Sequence, residues 1–369
     1  MTIKLFDKDA YLAEFTGKVL SCEKTDEGKY AVVLDRTAFF PEEGGQSPDT
    51  GVLGGAKVLD VQIKNEVITH YTDAPINAGE EVTGKIDWTH RFSNMQQHSG
   101  EHIFSGLVHA KYSYNNVGFH LSDNIVTMDY DGKLDMAQVR ELELLANEAI
   151  VKNLDIKCWY PDEAELSALD YRSKKELTGA VRIVEIPGVD ICACCAPHVA
   201  KTGEIGFFKV QSLQNYKGGV RISALCGFRA LAEMNAKEDV ISEVSDILTC
   251  GYTDFAENIK KLKNANADLK GKLSETGLKL LLKEAESIPD SKEDVFLETE
   301  GADSNVMRKV VNALTEKHSG YCGVFSKDAE KTTFVVGSRE KDCNELAAKY
   351  RAEKGAKCGG SAAMIQGSF

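Results

Sequence analysis

The sequence predicts an α+β protein with a β-barrel-like N-terminal domain (1–90), an α+β domain (91–230), a helical arm (231–290) and a small C-terminal α/β domain (291–369). Three observations carry this. Up to about residue 90, short apolar-alternating runs are separated by glycines and acidic turns, as in hairpin-built strands. From Asp87 the apolar spacing changes to that of a helix. Beyond Gly227 the chain turns helical and highly charged, until Ile288-Pro289-Asp290 breaks the pattern and strands and helices mix again. A length of 369 residues leaves room for two or three cores, at roughly 150 residues per domain.

Taken in order, strands are expected at 18–21, 30–34, 58–63 and 66–69, where β-branched and polar residues alternate. A helix follows over 88–111 and a second, amphipathic one over 136–153. Short strands at 118–128, 155–160 and 181–186 lie between and after them, which suits an α+β layer better than an alternating parallel sheet. In the arm, Ile259, Leu262, Asn266, Leu269 and Leu273 follow the spacing of a short a/d stripe. The last domain reads as a strand at 295–297, a helix at 304–317 with Val306, Val310 and Leu314 on one face, strands at 321–325 and 332–336, and a helix near Asn344.

Lys and Arg number 44 against 57 Asp and Glu, a formal charge of −13. That balance excludes indiscriminate nucleic-acid binding by charge, so any RNA contact is local. The start, MTIKLFDKDAYLAEF, interrupts its apolar residues with charges and has no signal-peptide core. No run approaches the ~20 apolar residues of a membrane span, and no membrane partner is expected. The 10 cysteines are too sparse and irregular for a secreted disulfide framework. A reducing cytoplasm fits, with metal binding the use for the crowded Cys192, Cys194 and Cys195.

The sharpest local signal is His98-Ser99-Gly100-Glu101-His102 inside the expected helix. Residues four apart share a helix face and can present two imidazoles to one ion. Cys194 and His198, in Cys192-Ala193-Cys194-Cys195-Ala196-Pro197-His198, form a Cys-x-x-x-His pair on a loop. Neither half is a site alone; together they make a His, His, Cys, His set that Zn²⁺ accepts. Cys192 and Cys195 are competing thiols, and Glu101 could serve as base, as partner to a ligand, or as neither. His70, His90, His109, His120 and His318 have no such company. Upstream, the Gly44-Gly45 pair allows left-handed backbone and close approach, and Thr37 and Gln46 flank it with a hydroxyl and an amide. The same His-x-x-Glu-His pattern also fits an inverted zinc peptidase, which needs a carboxylate third ligand such as Glu176 or Glu185.

In combination these pieces resemble a family, over roughly residues 1 to 230. Phe39-Phe40-Pro41-Glu42-Glu43-Gly44-Gly45-Gln46, Gln97 to His102, and Cys194 to His198 followed by Val199-Ala200-Lys201-Thr202-Gly203-Glu204-Ile205-Gly206 look like an AlaX-type alanyl-tRNA editing protein. That family is the free-standing relative of the alanyl-tRNA synthetase editing domain, and is similar to the additional domain of threonyl-tRNA synthetase. The tail, Lys354 to Gly367, is similar to a DHH-associated domain. Its basic residues Lys349, Arg351, Lys354 and Lys357 suit either phosphate contact or a solvated helix face. The chain departs from the family at Cys195-Ala196-Pro197, where Gly-Gly-Thr is usual, at Ser99 for threonine, and at Glu101 for a neutral residue.

The resemblance implies hydrolysis of mischarged tRNA(Ala), chiefly Ser-tRNA(Ala) and also Gly-tRNA(Ala), at a zinc site, with a homodimer through the C-terminal region. It implies His98, His102, Cys194 and His198 as metal ligands. The substrate-binding set is Thr37, Gly44, Gly45, Gln46 and Ser99, with Thr37, Gln46 and Glu101 nearest the chemistry. Thr37 is the hydroxyl-sensing residue in this reading, because a pocket built to hydrogen-bond serine is left unpaired by alanine. A tRNA-binding module with purely structural zinc is the non-enzymatic alternative.

Overall fold

The computed structural model describes residues 1–122, 125–173, 179–328 and 331–369. Two compact units divide the chain, Met1–Val240 and Ile241–Phe369.

The first unit opens with a closed barrel whose strands run, around the ring, Glu14–Lys24, Tyr30–Leu34, Val67–Thr72, Ala56–Lys64, Gly51–Leu53 and Glu81–Ile86. Strict alternation along Glu14–Lys24 puts Phe15, Gly17 and Val19 inward, the period-2 signature of a wall with one buried face. Val32, Leu34, Leu53, Val58, Val61 and Ile68 fill the interior together with Phe39 and Phe40. Those two phenylalanines pin the start of the segment Phe39 to Gln46 to the barrel: the chain leaves the wall after Leu34, pairs Arg36–Thr37 with Ile3–Lys4, plugs the core, and returns at Gly51.

Helix α1 (Trp88–Tyr112) starts at Asp87, whose carboxylate caps the His90 amide, and ends at Ser113 in a left-handed turn. Unlike a surface helix it is buried on nearly every side from Arg91 to Gly106. On one side lies the antiparallel sheet of Phe208–Tyr216, Gly219–Cys226, Val126–Tyr130 and Asn116–Leu121. Helix α2 (Met136–Val151), opened by a capping box between Asp135 and Gln138, covers another. Gly100 explains how close the sheet comes: a Cβ there would stand 2.3 Å from the Cys226 sulfur. Short α3 (Glu163–Ala168) falls between the first and second strands of a second sheet, Lys157–Trp159, Ile183–Ile186 and Asp190–Ala193. The barrel and the α+β part keep separate hydrophobic cores.

The strand expected over 118–128 is instead two, Asn116–Leu121 and Val126–Tyr130, paired antiparallel. The hairpin Phe208–Tyr216 and Gly219–Cys226 was not anticipated at all. Its signal is Lys217-Gly218, both at positive φ, the two-residue turn that suits strand twist.

Helix α4 (Gly227–Leu248) contains the expected 230/231 boundary, and the units divide later, at 240/241. In the second unit, α5 (Phe255–Ser287) carries the a/d stripe, whose Ile259, Leu262, Leu269 and Leu273 are exposed. Its last turns behave differently, because Leu281 and Ala285 join the core of the C-terminal domain. That domain is a sheet in the order Val295–Glu300, Cys322–Lys327, Thr332–Gly337, Met364–Ser368, Lys357–Gly360, with α6 (Ser304–Lys317) linking the parallel first pair. Helix α7 (Cys343–Lys354) ends at left-handed Gly355. The glycine-rich tail forms a hairpin of the last two strands. Arg351 donates to the Cys358 carbonyl, and the Lys354 ammonium sits 4.5 Å from the Phe369 ring. No helix among the described residues is long and apolar enough to cross a membrane.

Candidate metal centre

Helical spacing places His98 and His102 one turn apart on α1, ring centroids 5.5 Å from one another. The loop after strand Asp190–Ala193 brings Cys194 and His198 against them. The His198 ring lies 5.0 Å from that of His98 and 4.7 Å from that of His102. One nitrogen from each imidazole and the Cys194 sulfur lie within 4.8 Å of one another, so these four side chains could hold a metal ion.

What surrounds the imidazoles decides which nitrogen faces inward. His98 Nδ1 donates to Gln46 Oε1 at 2.8 Å, His102 Nδ1 to Asp190 Oδ2 at 2.9 Å, and His198 Nδ1 to Ser99 Oγ at 3.0 Å. With every Nδ1 turned outward, Nε2 of each ring is the nitrogen that faces the centre, and an ion bound there would displace any proton it carries. Both His98 Nε2 and His198 Nε2 stand 3.4 Å from Cys194 Sγ. Tetrahedral zinc, with bonds of ~2.0–2.1 Å to nitrogen and ~2.3 Å to sulfur, sets neighbouring ligands ~3.5 Å apart. The donors present therefore fit such an ion.

Burial alone would raise the Cys194 thiol, but His98 and the hydrogen bonds from His102, His198 and His98 hold it well below its ordinary range. Burial pushes Cys192 and Cys195 the other way, upward. Only Cys194 of the three is favoured as thiolate, the form a metal takes. Burial brings His198 down to about 3. It also lowers His102, but the bonds to Asp190 and Cys194 outweigh it and carry that group to about 9.

The loop carrying these ligands is clamped from behind. Arg182 donates to the carbonyls of Cys194 and Ala196 at 3.0 and 2.8 Å, while Ser99 Oγ also accepts the Val199 amide. On the facing side, Gly44 and Gly45 have φ of +65° and +83°. A Cβ on Gly44 would stand 3.5 Å from the Cys195 sulfur, and one on Gly45 only 2.4 Å from the Phe119 carbonyl. Amide and carbonyl bonds from Ser47 and Gly45 stitch this loop to Leu121. The glycine loop is thus wedged between the cysteine loop and a sheet edge, and it delivers Gln46 to His98.

Of the residues expected at the site, His98, His102, Cys194, His198, Gln46 and Ser99 come together. Ser99 touches His198 and the loop backbone. Glu101 is buried beside the set, its Oε2 4.0 Å from His102 Nε2, while Oε1 accepts from Ser105 and Asn116, each at 2.6 Å. Thr37 is fully buried at the barrel, its hydroxyl 2.8 Å from His70 Nε2 and accepting the Phe39 amide at 3.1 Å. Glu185 pairs across the sheet edge with Lys157, and Glu176 lies outside the described residues. Sequence reading missed Asp190, Arg172, Arg182, Asn116 and His70. For Asp190 a signal existed, since it stands two before Cys192, on the same face of the strand that leads directly into Cys194.

Fold and site together define a protein in which a barrel delivers a glycine loop to a buried cluster of three histidines and one cysteine that could hold a metal ion. Its sequence relatives give the family. The family model described as the threonyl and alanyl tRNA synthetase second additional domain matches residues 181–223, and that of class II (A) tRNA synthetases matches residues 7–90. The alanyl-tRNA editing protein AlaX-L of Pyrococcus horikoshii is 31% identical over 304 residues, 77% of this chain and 74% of that protein. Alanyl-tRNA editing protein Aarsd1 of Mus musculus is 30% identical over 278 residues, 71% and 68% of the two chains. The alanine–tRNA ligase of Ignicoccus hospitalis is 29% identical over 330 residues, and this chain spans 36% of its length. A solved C-Ala domain from Aquifex aeolicus alanyl-tRNA synthetase is similar over 20% of the chain at 20% identity, with a TM-score of 0.19 that carries no argument. The chain belongs to the alanyl-tRNA editing protein family.

Proposed function

We propose that this chain is an aminoacyl-tRNA deacylase that removes a wrong amino acid, chiefly serine and also glycine, from tRNA(Ala) at a zinc centre. The observation that carries the reading is the convergence of the imidazoles of His98, His102 and His198 on the Cys194 sulfur, each turned inward by its own outer partner. Family membership supplies the substrate class. A carboxylate-completed peptidase centre is disfavoured, because Cys194 and His198 already complete the set and Glu185 is engaged elsewhere.

Held by those four side chains, zinc would polarise the ester carbonyl and lower the pKa of an attacking water. The protein's own groups do the rest. Gln46 keeps Oε1 on His98, and its buried Nε2 has no hydrogen-bond partner among the described residues. A buried amide donor left unpaired is costly, and a substrate oxygen beside the centre would satisfy it. Thr37 donates to His70 Nε2, because His70 Nδ1 is turned to the Val32 carbonyl. One lone pair on its hydroxyl then remains beyond the Phe39 amide, enough to accept from a serine hydroxyl but with nothing to accept from alanine.

The test is deacylation of Ser-tRNA(Ala) by the zinc-loaded protein, with Ala-tRNA(Ala) in parallel. Fast loss of serine with alanine retained is expected, and Cys194→Ala loses both zinc and turnover. Zinc bound with neither ester cleaved above the spontaneous rate would refute the activity. A fully loaded, active Cys194→Ala protein would refute the site.

A further inference from the structure

Behind His102 lies an arrangement whose members are not themselves among the four candidate ligands. Asp190 is buried and receives His102 Nδ1 on Oδ2, while Arg172 grips both of its oxygens, Nε to Oδ1 at 2.7 Å and Nη2 to Oδ2 at 2.9 Å. Strand alternation explains why one strand reaches both sides of the imidazole. Asp190 and Cys192 share a face of the strand, and the chain runs directly on into Cys194, so Asp190 holds the back of His102 while Cys194 stands at its front. Helix α1 can approach this strand only because Gly106 lies one turn beyond His102; a Cβ there would stand 2.5 Å from the Val189 carbonyl and 2.7 Å from Asp190 Cβ. The Arg172 backbone is tied to the same strand, its amide donating to the Ile191 carbonyl and its carbonyl accepting from the Ala193 amide.

We infer that Arg172, acting through Asp190, is the positioning residue that sets the orientation of His102 in the metal centre. The inference rests on the metal reading of the site and not on the deacylase reading. A lone carboxylate behind His102 could rotate about its χ2. The bidentate guanidinium fixes the plane of the carboxylate, and so fixes the direction in which its Oδ2 accepts from the imidazole. Outer partners of this kind are worth about 10- to 100-fold in metal affinity. Cys192, which also lies near His102 and Asp190, is a packing thiol in this account.

A cavity of about 540 Å³ borders the pair and is lined by Asn116, Tyr171, Arg172 and Asp190 among others. It gives the test a rescue arm. Zinc affinity is measured by chelator competition, and the Co²⁺-substituted protein by its visible ligand-field bands, for the unaltered chain, Arg172→Ala, Arg172→Lys and Cys192→Ser. Arg172→Ala is expected to bind zinc about 10- to 100-fold more weakly and to shift the cobalt bands. Guanidinium added below denaturing concentration restores both, which a general packing defect would not allow. Cys192→Ser leaves both unchanged.

Unaltered affinity and bands in Arg172→Ala overturn the inference, as does a loss that guanidinium does not reverse. Should Arg172→Ala fail to fold, Arg172→Lys decides: a point charge cannot fix the carboxylate plane, so its cobalt bands shift, and unshifted bands overturn the inference. A loss in Cys192→Ser equal to that in Arg172→Ala does so too. An unaltered chain that binds no zinc overturns the metal reading itself, whereas failure in the Arg172 variants alone leaves that reading standing.

Discussion

Arg91 and Asp49 form a fully buried ion pair joining α1 to the turn that closes the glycine loop, and its removal has a calculable cost. Arg91 Nε reaches both Asp49 oxygens at 3.0 Å, and Nη2 also contacts Asp49. Nη1 donates to the Ala10 carbonyl at 2.9 Å and Nη2 to the Ala38 carbonyl at 2.5 Å. In Arg91→Met, Asp49 keeps only the Phe40 amide, at 2.6 Å, among its described partners, and two carbonyls lose their donors. Breaking a buried pair in this way costs about 3–5 kcal/mol, because an uncompensated charge is left in the interior. Both tryptophans, Trp88 and Trp159, lie in the first unit, so urea unfolding followed by tryptophan fluorescence reads that unit alone. The expected drop in unfolding free energy is about 3–5 kcal/mol for Arg91→Met, and a smaller one for Asp49→Leu/Arg91→Met, which leaves no lone charge. A single-variant loss below about 1 kcal/mol, or a double variant no more stable than the single, would refute the reasoning.

The remaining predictions concern the barrel and its loop. Thr37→Val removes the donor to buried His70 Nε2; it should cost about 1–3 kcal/mol in the same unfolding assay and weaken the preference for serine over alanine, and no change in either refutes the assignment. Burial lowers His70 to about 4, so below pH ~6.5 the unfolded chain binds the proton that the folded chain refuses. Its stabilising contribution is full above pH ~6.5 and is lost as pH falls toward 4, about 3 kcal/mol in all; His70→Gln should flatten that part of the stability–pH curve, and an unchanged slope counts against it. Gly45→Ala must bear both a left-handed φ of +83° and a Cβ 2.4 Å from the Phe119 carbonyl, roughly 2–5 kcal/mol together. Gly55→Ala, at φ +91° in open space, bears only the first, so equal losses in the two variants would refute the close-approach argument.

Much of this protein is legible in residue order, because periodicity and short-range spacing are local physics. Alternation marked the barrel strands, a 3.6-residue period marked α1 and α6, and the i, i+4 pairs His98–His102 and Cys194–His198 are the two halves of the cluster that the fold brings together. The hairpin over 208–226 was missed because its only local mark is Lys217-Gly218. The split of 118–128 was missed because residues of strand type run up to it from both sides.

Only the tertiary structure decided which atoms meet. Local spacing cannot show that Gln46, Asp190 and Ser99 each stand behind a different imidazole, since these partners come from a loop, a strand and α1 itself, brought together by packing. Spacing pairs Cys194 with His198 but leaves Cys192 and Cys195 as competing thiols, and the three differ in what surrounds them. Thr37 carries the same lesson: five residues before the Glu42-to-Gln46 turn in sequence, it is committed by its hydroxyl to His70 of the barrel wall, a side-chain contact that residue order does not encode locally.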